Sequence, residues 1–215
     1  MLFKVFISII LVIIIVFFGY AFINEFTAVA ADVIYTDVKY SNFISIVGSV
    51  GQSSIDTLIK ELEKLPDDLL DEFISNGNII YLTDLSMSDV LEQHYNIVHR
   101  AEFKAKGIFI VNKAIPSIWL HSNKQSISKA VIHEFAHWVD YSRGRLSKTE
   151  EFLNIYNSEK NEFKNNIDND EYFISSPEEY FSESFSLLLL NPEQLREHCP
   201  ATYMFYSNVI KYKKI

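Results

Sequence analysis

Apolar positions recur with two different periods along the chain, and the change from one to the other divides it into a mixed front part and a helical back part. From Asp32 to about Val50 the pattern is short and broken, with β-leaning pieces at Val33-Ile34-Tyr35 and Phe43-Ile44-Ser45-Ile46. Between Gly51 and Ser75, Ile55, Leu58, Ile59 and Leu62 recur at helical spacing. Leu65-Pro66 then interrupts before Leu69, Leu70, Phe73 and Ile74, so one or two helices are expected. Asn76-Gly77 closes that unit. Asn78 to Thr83 reads as a strand, Ser86 to Tyr95 as a short helix, and Gly107–Val111 and Ser117–His121 as a hairpin or adjacent strand pair. Beyond His121 the period is helical. Ser126 or Ser128 is the expected cap of the next helix and Gly144 its stop. Thr149 to about Phe163 is amphipathic through Phe152, Ile155, Tyr156 and Phe163, and Asn165 to Ser176 is a polar loop carrying Tyr172 and Phe173. Pro177 opens a helix running to Leu190, with Glu178 and Glu179 at the favourable end of its dipole. Pro192–His198 and Thr202–Tyr212 read as two further short helices. This order predicts an α+β fold: a small mixed sheet followed by a helical C-terminal part, with residues 31–215 as a single domain.

The first thirty residues read differently. Val5 to Ile23 contains no charge and is rich in Ile, Val, Leu and Phe, and Ala28-Val29-Ala30 makes a small-x-small site before Ala31. The site fits a cleaved signal peptide, whereas a run near the ~20 residues that span a bilayer fits an uncleaved N-terminal anchor. Either places the remaining chain outside the cytoplasm. The whole sequence, 215 residues with 19 basic and 28 acidic side chains, has a net charge of −9, which excludes a phosphate-binding surface of the nucleic-acid kind. A single cysteine, Cys199, leaves no internal disulfide, so packing must hold the fold.

The densest chemistry lies in Val131-Ile132-His133-Glu134-Phe135-Ala136-His137-Trp138. On a helix, positions i and i+4 share a face, so His133 and His137 can grip one cation between them. Glu134 sits about 100° around the turn, placed to reach a water on that ion rather than to be a third ligand in line. Zinc hydrolysis needs that division: neutral nitrogens hold the metal, and a free carboxylate takes the proton of the attacking water. The plain alternative is two core histidines at chance spacing.

A third ligand decides between them. The positions three and six beyond His137 are Asp140 and Arg143, which excludes the metzincin pattern of a glycine followed by a third histidine. A glutamate from a second helix remains. Glu179 and Glu183 are i and i+4, so one can bind zinc while the other accepts the free N–H of a ligating imidazole. Asp140, one turn past His137, is a further candidate for supporting that helix or its histidine. His94, His99 and His198 lack partners at ligand spacing, and His121 reads as a strand-end surface residue.

The stretch from Tyr172 through Pro177-Glu178-Glu179-Tyr180-Phe181-Ser182-Glu183-Ser184-Phe185, then Cys199-Pro200-Ala201-Thr202-Tyr203-Met204-Phe205, together with His133–His137 and Val139-Asp140, resembles the secreted bacterial Pro-Pro endopeptidases and the catalytic domain of anthrax toxin lethal factor. The resemblance covers about residues 78 to 215. It implies a single zinc ion held by His133, His137 and Glu179, Glu134 as general base, and Tyr172 as the phenol that stabilises the oxyanion. It also implies a protein or peptide substrate, proline-rich in the proline-selective members; by strand addition such a substrate is expected to lie along Ser117–His121. Two departures stand out. The connection Asn112–Pro116 is short, and Lys106-Gly107-Ile108 stands where proline-selective members have Lys-Gly-Trp, leaving Trp119 either as a substitute aromatic wall or as core. The competing class is a non-catalytic relative that binds a surface protein without cutting it.

Overall fold

A computed structural model describes residues 38–98, 105–111 and 116–209. The N-terminal run, Val33–Tyr35, His99 and residues 112–115 lie outside the described residues. After a one-turn helix α1 (Val38–Ser41), the elements run β1 (Ile44–Val47), α2 (Gln52–Leu62), α3 (Asp67–Ser75), β2 (Ile79–Thr83), α4 (Met87–Tyr95), β3 (Gly107–Ile110), β4 (Ser117–His121), α5 (Lys124–Ser142), α6 (Glu150–Asn166), α7 (Pro177–Leu190), α8 (Pro192–His198) and α9 (Pro200–Val209). Short 3₁₀ turns at Leu146–Lys148 and Glu171–Ile174 flank α6. The fold is α+β, with a four-stranded mixed sheet and a mostly helical remainder.

The sheet order is β1-β2-β4-β3. β1, β2 and β4 are parallel, and β3 is antiparallel to β4 with Ile108 opposite Trp119. This arrangement corrects one expectation. β4 has a strand on each side, so its main-chain groups are already paired and no substrate can lie along Ser117–His121 by strand addition. Among the described residues the edges belong to β1 and β3, and β3 is the one that lies against the helix bearing Glu134. Trp119 is 2% exposed, stacks on Tyr81 with ring centroids 4.2 Å apart, and donates its indole N–H to the Tyr95 hydroxyl at 2.9 Å. It is core on the sheet face under α4 and forms no substrate wall.

α5 begins earlier than expected. Asn123, and neither Ser126 nor Ser128, is its cap: the Asn123 Oδ1 accepts the N–H groups of Gln125 (3.0 Å) and Ser126 (3.4 Å), satisfying donors that the first turn leaves orphaned. At the other end Gly144 takes φ +78°, and its N–H closes on the Tyr141 carbonyl at 3.1 Å. Between these ends the helix is buried on most sides, against the sheet, α2 and α7. Phe73 of α3 meets Phe135 and Trp138 with centroids 5.3 and 5.1 Å apart. Burying side chains of that size contributes roughly 1.5–3 kcal/mol each, so α5 is held by packing and not by helix propensity. Behind α7, Phe152 of α6 packs on Phe181 and Phe205 at 5.3 and 5.0 Å. The axis of α5 is thereby fixed between two rigid layers.

Candidate metal centre and peptide cleft

The side chains that sequence spacing singles out converge where α5 and the first turns of α7 pack together. Ser176 caps α7, its hydroxyl accepting the Glu179 N–H at 3.2 Å, and Pro177 sits at the first turn, where no N–H is needed. A Ser-x-x-Glu cap would ordinarily let the glutamate fold back onto the cap residue. Here the Glu179 carboxylate turns instead to the histidines. Its Oε2 lies 3.1 Å from His133 Nε2 and 3.7 Å from His137 Nε2, and all three candidate ligand atoms fall within 4.8 Å of one another. Zinc bonds of about 2.0–2.2 Å at tetrahedral angles hold neighbouring ligand atoms about 3.3–3.6 Å apart, so the two measured separations bracket what such an ion requires. Two imidazoles and one carboxylate are also the donor set that zinc favours.

Glu183, one turn on, completes the arrangement. Its Oε2 stands 3.1 Å from His133 Nδ1, so the ring has a carboxylate at each nitrogen. Without a metal, His133 behaves as a protonated partner: burial lowers its pKa, but the hydrogen bonds to Glu179 and Glu183 outweigh this and hold it near about 10. Glu179 answers in kind. Burial raises its pKa, and the two imidazoles more than reverse this, to about 2. His133 and Glu179 thereby hold each other in their charged forms.

Glu134 is 8% exposed, and its pKa is raised by burial against the opposing pull of His133 and His137. It also accepts a hydrogen bond from the Phe109 N–H of the edge strand. Tyr172, on the 3₁₀ turn before α7, is 51% exposed, and its hydroxyl hydrogen-bonds Glu179. Burial and the Glu179 charge both raise its pKa, keeping the phenol a neutral donor. Tyr156 of α6 anchors that turn by donating to the Ile174 carbonyl at 2.7 Å, and Phe173 packs against the His133 ring at 5.7 Å.

The other candidates go elsewhere. Asp140 gives both oxygens to the turn after α5, taking the Ser147 N–H at 2.6 Å and its hydroxyl at 2.7 Å, so it supports the helix end. Glu178 pairs with Lys148 at 2.8 Å. His121 Nδ1 accepts the Asn123 N–H at 3.1 Å, His94 lies against Trp119 with centroids 4.8 Å apart, and His198 Nδ1 is 3.5 Å from Glu162. Cys199 is fully buried.

One residue escaped the sequence reading. A Cβ on Gly107 would lie 2.9 Å from Glu134 Cγ, 2.9 Å from Leu120 Cδ2 and 3.1 Å from Ala130 Cβ. Only glycine lets β3 lie this close to α5. The available signal was a glycine opening a strand, which often marks a close approach of backbone. His121 N–H donates to the Lys106 carbonyl at 3.0 Å. By antiparallel alternation, the main-chain groups of Gly107 and Phe109 therefore point away from β4, along the edge beside Glu134.

Comparison with known proteins gives the chain its relatives. A Pro-Pro endopeptidase of Paenibacillus alvei is 29% identical over 178 residues, covering 75% of this chain and 80% of that relative. One from Clostridioides difficile is 34% identical over 84 residues, 37% of this chain and 36% of that relative. The solved structure of the Pro-Pro endopeptidase PPEP-2 from Paenibacillus alvei superposes with a TM-score of 0.59 at 27% identity, over 78% of this chain and 97% of that one. The family model described as anthrax toxin lethal factor, N- and C-terminal domain, matches residues 43–209, and the chain belongs to that family.

Proposed function

We propose that this chain is a zinc-dependent endopeptidase that cleaves proline-rich peptide substrates, at Pro-Pro bonds, outside the cytoplasm. The observation that carries the reading is the meeting of His133, His137 and Glu179 within bonding range of one ion, with the Glu134 carboxylate beside them. Kinship with two Pro-Pro endopeptidases supports the substrate class. Export rests on Val5–Ile23 and Ala28-Val29-Ala30 alone, as secretion or as tethering to the outer face of the membrane.

His133, His137 and Glu179 would hold the zinc, and Glu183 would fix the His133 ring by accepting its other N–H. When bound, the ion supplies a Lewis acid and lowers the pKa of its water. Glu134 takes the proton from the attacking water and passes it to the leaving amine; its burial favours holding a proton between those events. Tyr172, kept neutral, donates its hydroxyl to the carbonyl oxygen as negative charge develops there. The β3 edge at Gly107 and Phe109 aligns the peptide, and the Phe109 N–H keeps Glu134 aimed.

The test is hydrolysis of a peptide library by residues 31–215, with chelator and with zinc restored. Turnover should require zinc and fall by about 10²–10⁴-fold in Glu134→Gln while zinc content is unchanged. The five prolines, at 66, 116, 177, 192 and 200, are never adjacent, so the enzyme should survive its own activity intact. Zinc-independent turnover, or self-cleavage during the assay, would sink the proposal.

A further inference from the structure

The face of α5 that carries His133 and His137 continues one turn further, to Tyr141. Its ring is 36% exposed and lies 5.9 Å from the ring of Phe109, the same edge-strand residue whose N–H bonds Glu134. Over Tyr141, 5.9 Å from its centroid, stands the guanidinium carbon of Arg145. Arg145 holds φ 63° and ψ 64°, a left-handed conformation strained for any residue with a Cβ. The turn does not call for arginine. Gly144 already supplies one left-handed residue, and the bond that Arg145 makes for the turn, N–H to the Asp140 carbonyl at 2.8 Å, is one any glycine could make. Among the described residues no carboxylate pairs with its guanidinium, whereas neighbouring Lys148 is paired with Glu178. The chain carries a net charge of −9 and gathers Glu134, Glu179 and Glu183 at the site. Arg145 is thus an exposed cation held beside the Phe109–Tyr141 pair by a left-handed backbone and an aromatic face, close to an acidic site.

We propose that Phe109, Tyr141 and Arg145 form a specificity subsite, the two rings packing an apolar or proline residue of the substrate and the guanidinium pairing with an acidic side chain beyond it. The inference rests on the cleft being the peptide-binding site argued above. Tyr141 lies about 6 Å along the helix axis from His137, at 1.5 Å per residue, and an extended or polyproline peptide advances about 3.1–3.4 Å per residue. The acidic residue therefore falls at the second to fourth position from the scissile bond.

Binding decides the matter independently of turnover. Labelled peptides centred on a Pro-Pro pair, with Glu or Gln at the second, third or fourth position on either side, are titrated by fluorescence anisotropy into zinc-loaded Glu134→Gln protein. At one of these positions Glu should bind about two- to fivefold tighter than Gln, the range of an exposed ion pair, and the margin should shrink as salt rises. Adding Arg145→Gln or Arg145→Gly should erase the margin and Arg145→Lys should retain most of it. The glycine variant should melt no lower than its parent, because glycine meets no strain at φ 63°. Equal binding of Glu and Gln peptides at every position overturns the subsite alone, as does a preference that survives in Arg145→Gln. Failure to bind any of the peptides overturns the subsite together with the substrate reading beneath it.

Discussion

Helix α7 carries two polar rows, and they are completed in opposite ways. One row is Tyr180 and Ser184, facing α6 and α9. The Tyr180 hydroxyl meets Thr202 Oγ1 at 2.8 Å, Thr202 donates to Glu159 at 2.7 Å, and the Tyr206 hydroxyl joins Ser184 (2.8 Å) to the Phe181 carbonyl (2.7 Å). These groups are buried and neutral apart from Glu159, and protein partners satisfy them. The other row is Glu179 and Glu183, one position before each, facing α5. There the partners are imidazoles, a proton on His133 offsets only one of the two carboxylate charges, and Tyr172 beside them is half exposed. A finished network specifies a core. A network that must import a proton, or a cation, to balance its charge is poised for exchange.

That contrast can be broken from either side. Tyr206→Ala on the back row should cost about 3–5 kcal/mol, by loss of a large buried side chain together with its hydroxyl bonds to Ser184 and the Phe181 carbonyl. Thermal or denaturant melts should record it, while zinc stoichiometry of the folded fraction stays at one; lost zinc binding without lost stability would mean that the two rows are not separate. Glu183→Gln on the front row should lower zinc affinity about 10–100-fold. Competition with a chelator of known affinity measures this, and an unchanged affinity would remove Glu183 from the site.

The smallest effect concerns protons. In the metal-free protein the His133 pKa is raised to about 10, so its contribution to stability is complete below its unfolded value near 6.5 and is lost as pH climbs through 10. Glu179, depressed to about 2, contributes fully above about 4.5 and loses its contribution as pH falls through 2. Both terms describe one ion pair and are counted once. Zinc must displace the His133 proton, so uptake at pH 7.5 should release about one proton, read as a dependence of the binding heat on buffer ionisation enthalpy. Apparent affinity should rise with pH toward 10. Heats that do not depend on the buffer would contradict the ion-pair description.

The sequence was most legible where one short pattern sufficed. Helices α2, α3, α5 and α7 follow from periodicity, Pro177 and Gly144, and the spacing of His133, His137, Glu179 and Glu183 already put four side chains on facing surfaces. What it concealed is non-local. Nothing in Ser117–His121 says that β4 lies inside the sheet, because strand order is fixed by which segments meet after long connections. Asn123 takes the cap because the helix already starts at Lys124, which leaves Ser126 and Ser128 inside it, and composition ranks all three as good caps. Trp119 reads equally as wall or core until α4 and Tyr81 are seen to cover it. Tyr172 stood out only through family resemblance; alone it is an aromatic residue in a polar loop.

Gly107 sets a spacing as well as a shape. With only hydrogen where any other residue would place carbon, it brings the border of the sheet down onto the rod that bears Glu134, so a peptide laid against that border is presented at the height of the carboxylate. The reach of the carboxylate proposed to move the proton is in that sense gauged by a single missing methyl.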